Sequence, residues 1–167
     1  MKKILLFTIT ALLVLAFFYF GYQSYQKIQA QKVFASRVQR LPNPNLFTWV
    51  NQKPKPSQMA TIVLFFSPDC EHCQYEAEAI FKQKEQFANT NLWWVSTADG
   101  LVIKTFTQKY GLENLPNMYF AHLSNQKVYQ TFGSIAIPHI FIYDRQQNLQ
   151  KEFKGETKIE ALLKYCP

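Results

Sequence analysis

Residues 60–73 read ATIVLFFSPDCEHC, and no other stretch leaves the chain so little freedom. The run Ala60–Ser67 is apolar and rich in β-formers, which predicts a strand buried on both faces. Pro68 starts a turn, and the spacing from Asp69 to Phe87 is helical, with Cys73, Ala77, Ile80, Lys84 and Phe87 along one side. Cys70 therefore falls in the first turn of a helix that leaves a buried strand. Backbone N–H groups there lack intrahelical partners and carry partial positive charge, a setting that favours a thiolate. His72 would reinforce this effect and Glu71 would oppose it. Cys73, one turn further on, is expected to be more buried and suited to resolving a mixed disulfide formed at Cys70.

The remainder alternates in the same manner. Leu92–Thr97 reads as a second strand, and Asp99–Tyr110 as a helix that stops at Gly111. Asn117–His122 fits either a third strand or an ordered loop, and Ser124–Phe132 a short helix. His139–Asp144 and Leu149–Phe153 read as strands joined by the polar turn Arg145–Asn148, before a closing helix over Glu156–Tyr165. Such an order predicts an α/β fold, a mixed central sheet with helices on both faces. Trp93 and Trp94 are expected in its core. Ile137-Pro138 stands directly before a strand, where a proline invites a cis peptide bond.

The first 22 residues set a different constraint. Lys2 and Lys3 precede ILLFTITALLVLAFFYF, Ile4–Phe20, whose seventeen residues at about 1.5 Å each span roughly 25 Å, close to a hydrocarbon core. No small-residue cleavage site follows at Gly21–Ser24, so an uncleaved N-terminal transmembrane helix is expected over 1–22. Residues 23–45 form a basic juxtamembrane spacer that ends in the helix-breaking LPNPN, and the folded domain is expected over 46–167. The net charge of +7 is uneven: eight Lys and Arg and no acid precede Asp69, whereas ten basic and eleven acidic residues follow from there. Basic character confined to the N-terminal third speaks for a membrane surface and against a nucleic-acid partner.

At FFSPDCEHC and IAIPHIFIYDRQQNLQKEFKG the chain resembles the thioredoxin-like superfamily, in particular its membrane-anchored TlpA-type and AhpC/TSA-like thiol–disulfide oxidoreductases. The resemblance runs from about Leu46 to Tyr165. It implies a thioredoxin-like fold in which Pro138 packs against the Cys70–Cys73 pair. It also implies that the backbone at Ile137 adds a strand to an extended client peptide. On that basis the site is Cys70, Cys73, Pro138 and the tuning residue His72, with Pro68, Ile137 and His139 framing the approach of substrate. Expected partners are protein thiols and disulfides, the membrane through the N-terminal helix, and a membrane electron donor or acceptor that resets the pair. No dissociable cofactor is required. The domain is expected on the periplasmic or extracytoplasmic side of the inner membrane.

Three departures stand out. Asp69 replaces the usual Trp before the first cysteine, His139 replaces the common Thr after the proline, and no acid lies in Ala60–Ser67, where thioredoxins often bury a carboxylate. Other readings of CEHC compete. A thiol peroxidase would carry Pxxx[ST]xxC, but Val63 stands where its proline belongs. A thioredoxin-fold copper chaperone would use a cysteine spacing one residue longer plus a remote histidine, for which His139 is the candidate. A purely structural CxxC bridge closes too short a loop to stabilise much. Cys166 is left as an incidental thiol.

Overall fold

The computed structural model describes residues 2–166, and in it the chain divides into two compact units, 1–36 and 37–167. The first is helix α1, Lys2–Arg37. Among the described residues no helix is long and apolar enough to cross a membrane. The anchor expected over 1–22 lies partly outside them, since no side chain is described at 1–8 or at 10.

The second unit begins at 37 rather than at the expected 46. Val38 is buried in its core, Leu41 donates its N–H to the Gln147 carbonyl (2.8 Å), and Leu149 donates to that of Gln39 (2.8 Å). The last part of the presumed spacer is thus stitched to the β-turn at 145–148. Elements then follow in the order β1 (Thr48–Trp49), β2 (Ala60–Phe65), α2 (Glu71–Lys82), β3 (Thr90–Ser96), α3 (Gly100–Lys109), β4 (Met118–His122), α4 (Asn125–Phe132), β5 (His139–Tyr143), β6 (Leu149–Lys154) and α5 (Ile159–Leu163).

The sheet order is β1-β4-β3-β2-β5-β6. β2, β3 and β4 run parallel, whereas β5 is antiparallel to β2, β6 to β5 and β1 to β4. Alternation along the strands builds two apolar layers. Ile62, Leu64, Leu92, Trp94, Phe120, Ile140 and Ile142 meet α2, α3 and α5 through Ala77, Ile80, Ile103, Phe106, Ile159 and Leu162. On the other face, Val63, Phe65, Trp93, Val95 and Phe141 meet Val38, Phe47 and the α4 residues Val128 and Phe132. The central strands bury both faces, which is why their middles, Ile62–Phe65 and Leu92–Val95, read as apolar runs. The residues at 117–122 are resolved in favour of a strand, β4.

Two helices differ in extent from the sequence expectation. The long helix over 69–87 ends at Lys82 and gives way to a 3-10 turn, Lys84–Phe87. The closing helix starts only at Ile159, because Gly155 takes φ +91° and the residues after it form a turn. α3 is set by chemistry legible in the sequence: Asp99 accepts from Leu101 N–H (2.8 Å) as N-cap, and Gly111 at φ +68° ends it. Asp99→Ala is expected to cost about 1 kcal/mol, read as a lower urea midpoint with an unchanged slope.

Candidate active site

β2 ends at Phe65, and the chain turns through Ser67–Asp69 into α2 at the carboxyl end of the parallel strands, where open α/β sheets place their ligands. Cys70 is the N-cap of α2. Its N–H donates to Ser67 O (3.1 Å), and its carbonyl accepts from Cys73 N–H (3.0 Å) and Gln74 N–H (3.1 Å). The Gln74 side chain closes the turn by donating to Pro68 O (2.9 Å). Among the described residues no side chain caps the helix, so the partial positive charge of its first amides stays at the Cys70 end.

The two thiols occupy unlike surroundings. Cys70 is half-buried, whereas Cys73 is fully buried beneath it in the core layer that also holds Phe66 and Trp94. Burial pushes the Cys73 thiol far above the usual range, and the neighbouring Cys70 side chain adds to the rise. An accessible sulfur in front of a dry one is the arrangement that attack followed by resolution requires.

The remote proline arrives through strand pairing. Phe65 at the end of β2 lies opposite His139 at the start of β5, which carries residues 137 and 138 to the cysteines. The Ile137–Pro138 bond is cis. The Cys70 thiol donates to the Ile137 carbonyl at 3.9 Å, and the Pro138 carbonyl accepts from Gly155 N–H (2.8 Å). Ile137 is exposed and Pro138 buried. Pro68 lines a shallow, mainly apolar cavity of about 250 Å³ with Asp69, Val102, Phe106 and Tyr110. His72 is exposed, and its Nδ1–H donates to Glu156 Oε2 (2.8 Å).

His139, expected to frame the substrate, does not. Its side chain is only 2% exposed. Nδ1 accepts from Ala136 N–H (3.2 Å), which places the proton on Nε2, and that N–H donates to Glu152 Oε1 (2.8 Å). The ring also stacks on Phe141 at 4.5 Å. Burial lowers its pKa against the pull of Glu152, and the ring braces the loop before Pro138 from beneath. With both nitrogens engaged it offers no third metal ligand beside the cysteines. Among the described residues no three His, Cys, Asp or Glu side chains gather as a metal would need.

Sequence reasoning overlooked Glu76. No acid lies in Ala60–Ser67, but α2 supplies a carboxylate three residues after Cys73. Glu76 is 2% exposed, and among the described residues neither carboxylate oxygen has a hydrogen-bond partner. Burial, then the charge of Glu156, push its pKa up to about 8; the Thr157 backbone N–H pulls the other way without reaching hydrogen-bond geometry. Its charge is felt by Cys73 in turn. The signal was available: Glu76 shares the helix side of Cys73, Ala77 and Ile80, and acids are almost never buried there without a task.

Other features lie away from this site. A cavity of about 450 Å³ between residues 41–45 and 53–59 touches Thr61 and Asn91, at the opposite, N-terminal ends of β2 and β3. Cys166 is half-buried near Thr90 at that same end, its pKa pushed up to about 11 by burial.

The AhpC/TSA family model matches residues 42–152. Among curated proteins nothing matches. Similar solved structures include a secreted disulfide oxidoreductase of Mycobacterium tuberculosis homologous to E. coli DsbE, at 16% identity and TM-score 0.56 over 74% of this chain and 88% of that one. StoA from Bacillus subtilis is similar at 18% identity and TM-score 0.53, covering 65% and 83%. A peroxiredoxin-like protein from Aquifex aeolicus is similar at 14% identity and TM-score 0.56, covering 75% and 82%. At such identities the likeness is one of fold, and the fold is thioredoxin-like.

Proposed function

The chain belongs to the AhpC/TSA family, and on that premise we propose that it is an enzyme exchanging dithiol for disulfide with partner proteins at Cys70 and Cys73. The observation that carries this reading is the half-buried Cys70 sulfur, 3.9 Å from the Ile137 carbonyl, with Cys73 fully buried behind it. The Cys70 thiolate attacks a client disulfide, forms a mixed disulfide and expels one client thiolate. Cys73 passes its proton to the Glu76 carboxylate and attacks the Cys70 sulfur. The Cys70–Cys73 disulfide forms, the second client thiolate leaves, and two electrons have moved to the client. The reverse sequence oxidises a client dithiol. Ile137 offers exposed backbone to an extended client strand, Pro138 and Pro68 shape the approach, and His72 acts on the motif through Glu156.

The remaining parts of the reading rest on the sequence. The apolar run Ile4–Phe20 anchors the chain in the inner membrane, and the domain faces the extracytoplasmic side, where clients carry disulfides. A membrane electron donor or acceptor resets the pair. Direction follows from the Cys70–Cys73 potential: a value near about −270 mV makes the protein a reductant, one near about −120 mV an oxidant.

The test is covalent capture. Membranes holding the full chain with Cys73→Ala should accumulate client adducts that dissolve with dithiothreitol, and the Cys70→Ala/Cys73→Ala chain should not. Adducts of equal yield in both chains, or none in either, overturn the assignment.

A further inference from the structure

The turn after β6 reaches three parts of the redox site: Pro138, His72 and Glu76. Gly155 N–H donates to Pro138 O (2.8 Å), Glu156 accepts from His72 between the two cysteines (2.8 Å), and the Thr157 backbone N–H is near enough to pull the Glu76 pKa down. Thr157 Oγ1 donates back to Gly155 O (3.1 Å) and stiffens the turn. Gly155, at φ +91°, supplies a backbone conformation that L side chains rarely adopt. Among the described residues, the side-chain hydrogen bond that joins this segment to α2 is His72–Glu156.

We propose that Glu156 is a positioning residue for exchange at Cys70 and Cys73: held by His72, it keeps the 155–158 turn closed over Glu76, so that this carboxyl trades its proton with Cys73 rather than with water. The inference rests on the exchange reading above. The ionisable groups bearing on Glu76 are Cys73 from the motif and Glu156 from the turn, and among the described residues no side chain hydrogen-bonds either Glu76 oxygen. A carboxyl buried in this way is sensitive to the entry of water, which would stabilise its charged form. Opening the turn should therefore impair the step that uses Glu76 and spare the step that does not.

The two steps separate with a nitroaryl disulfide as probe, mixed in stopped flow with the reduced full chain in a Cys166→Ala background. Attack by Cys70 frees the first coloured thiolate, and resolution by Cys73 frees the second. Glu156→Ala should slow the second phase about tenfold, part of the hundredfold or more that a positioned base contributes, and leave the first within about twofold. Glu156→Gln still accepts the Nδ1–H bond and should restore the second phase to within about twofold of the unsubstituted rate. A Glu156→Ala chain with an unchanged second phase, both phases slowed alike, or a Glu156→Gln chain as slow as Glu156→Ala would each overturn the proposal. Failure of the unsubstituted chain to release the second thiolate would instead sink the exchange reading itself.

Discussion

Cys70→Ala should reduce insulin reduction by dithiothreitol to the uncatalysed rate, because no other sulfur can take over the attack. Cys73 is fully buried, and burial raises its pKa far above the ordinary thiol range. Each unit of such a rise removes about tenfold of the thiolate present near neutral pH. Cys166 lies near Thr90, at the far end of the sheet, and its thiol is likewise held protonated by burial. The Cys73→Ala chain should behave differently: it keeps the attacking sulfur, forms adducts at an undiminished rate and fails to turn over. Comparison of first-adduct formation with steady-state rate separates the two roles. Residual catalysis in Cys70→Ala above that of a chain lacking both cysteines would show that the nucleophile is elsewhere.

Glu76→Gln should yield a chain that is both more stable and slower. A carboxyl whose pKa rises from 4.5 unfolded to about 8 folded binds its proton more tightly in the folded state. Stability is therefore full below pH 4.5 and is lost as pH rises through that window to 8, where the loss reaches on the order of 4 kcal/mol as an upper limit. Glutamine keeps the shape and has no proton to lose, so the variant should lack the fall with pH that Glu76 imposes on the unsubstituted chain. Urea midpoints of the two should agree near pH 4.5 and part by pH 8. Resolution of the mixed disulfide, deprived of its proton acceptor, should slow about a hundredfold. Parallel stability curves across that range would mean that Glu76 is hydrated.

What could be read in advance follows the range of each interaction. The strand-turn-helix at 60–82 is local, written in an apolar run, a proline and a helical repeat, and the structure places it with only its last turn altered. The approach of Ile137–Pro138 to Cys70 spans 67 residues, and it could be anticipated only through resemblance; the Phe65–His139 register is what delivers it. The inward-facing ring of His139 was not legible, since strand alternation fixes a face but not whether that face meets solvent. Glu156 left no trace at all, because its partner His72 lies 84 residues away and the pairing depends on a glycine turn. β1, two residues long, is below the length at which periodicity means anything. The domain boundary moved because residues 38–41 are held by a turn more than a hundred positions later, a contact no local pattern announces.

Both outer strands of the sheet are poor templates for other chains. β1 offers two residues, and β6 presents Gln150, Lys151, Glu152 and Lys154 outward, with its ladder interrupted opposite Ile142 and Tyr143. Brevity at one rim, alternating charge and a dislocation at the other are devices that discourage fibrillar stacking. Copies of the chain are thereby kept from zippering onto one another along the rims of the sheet.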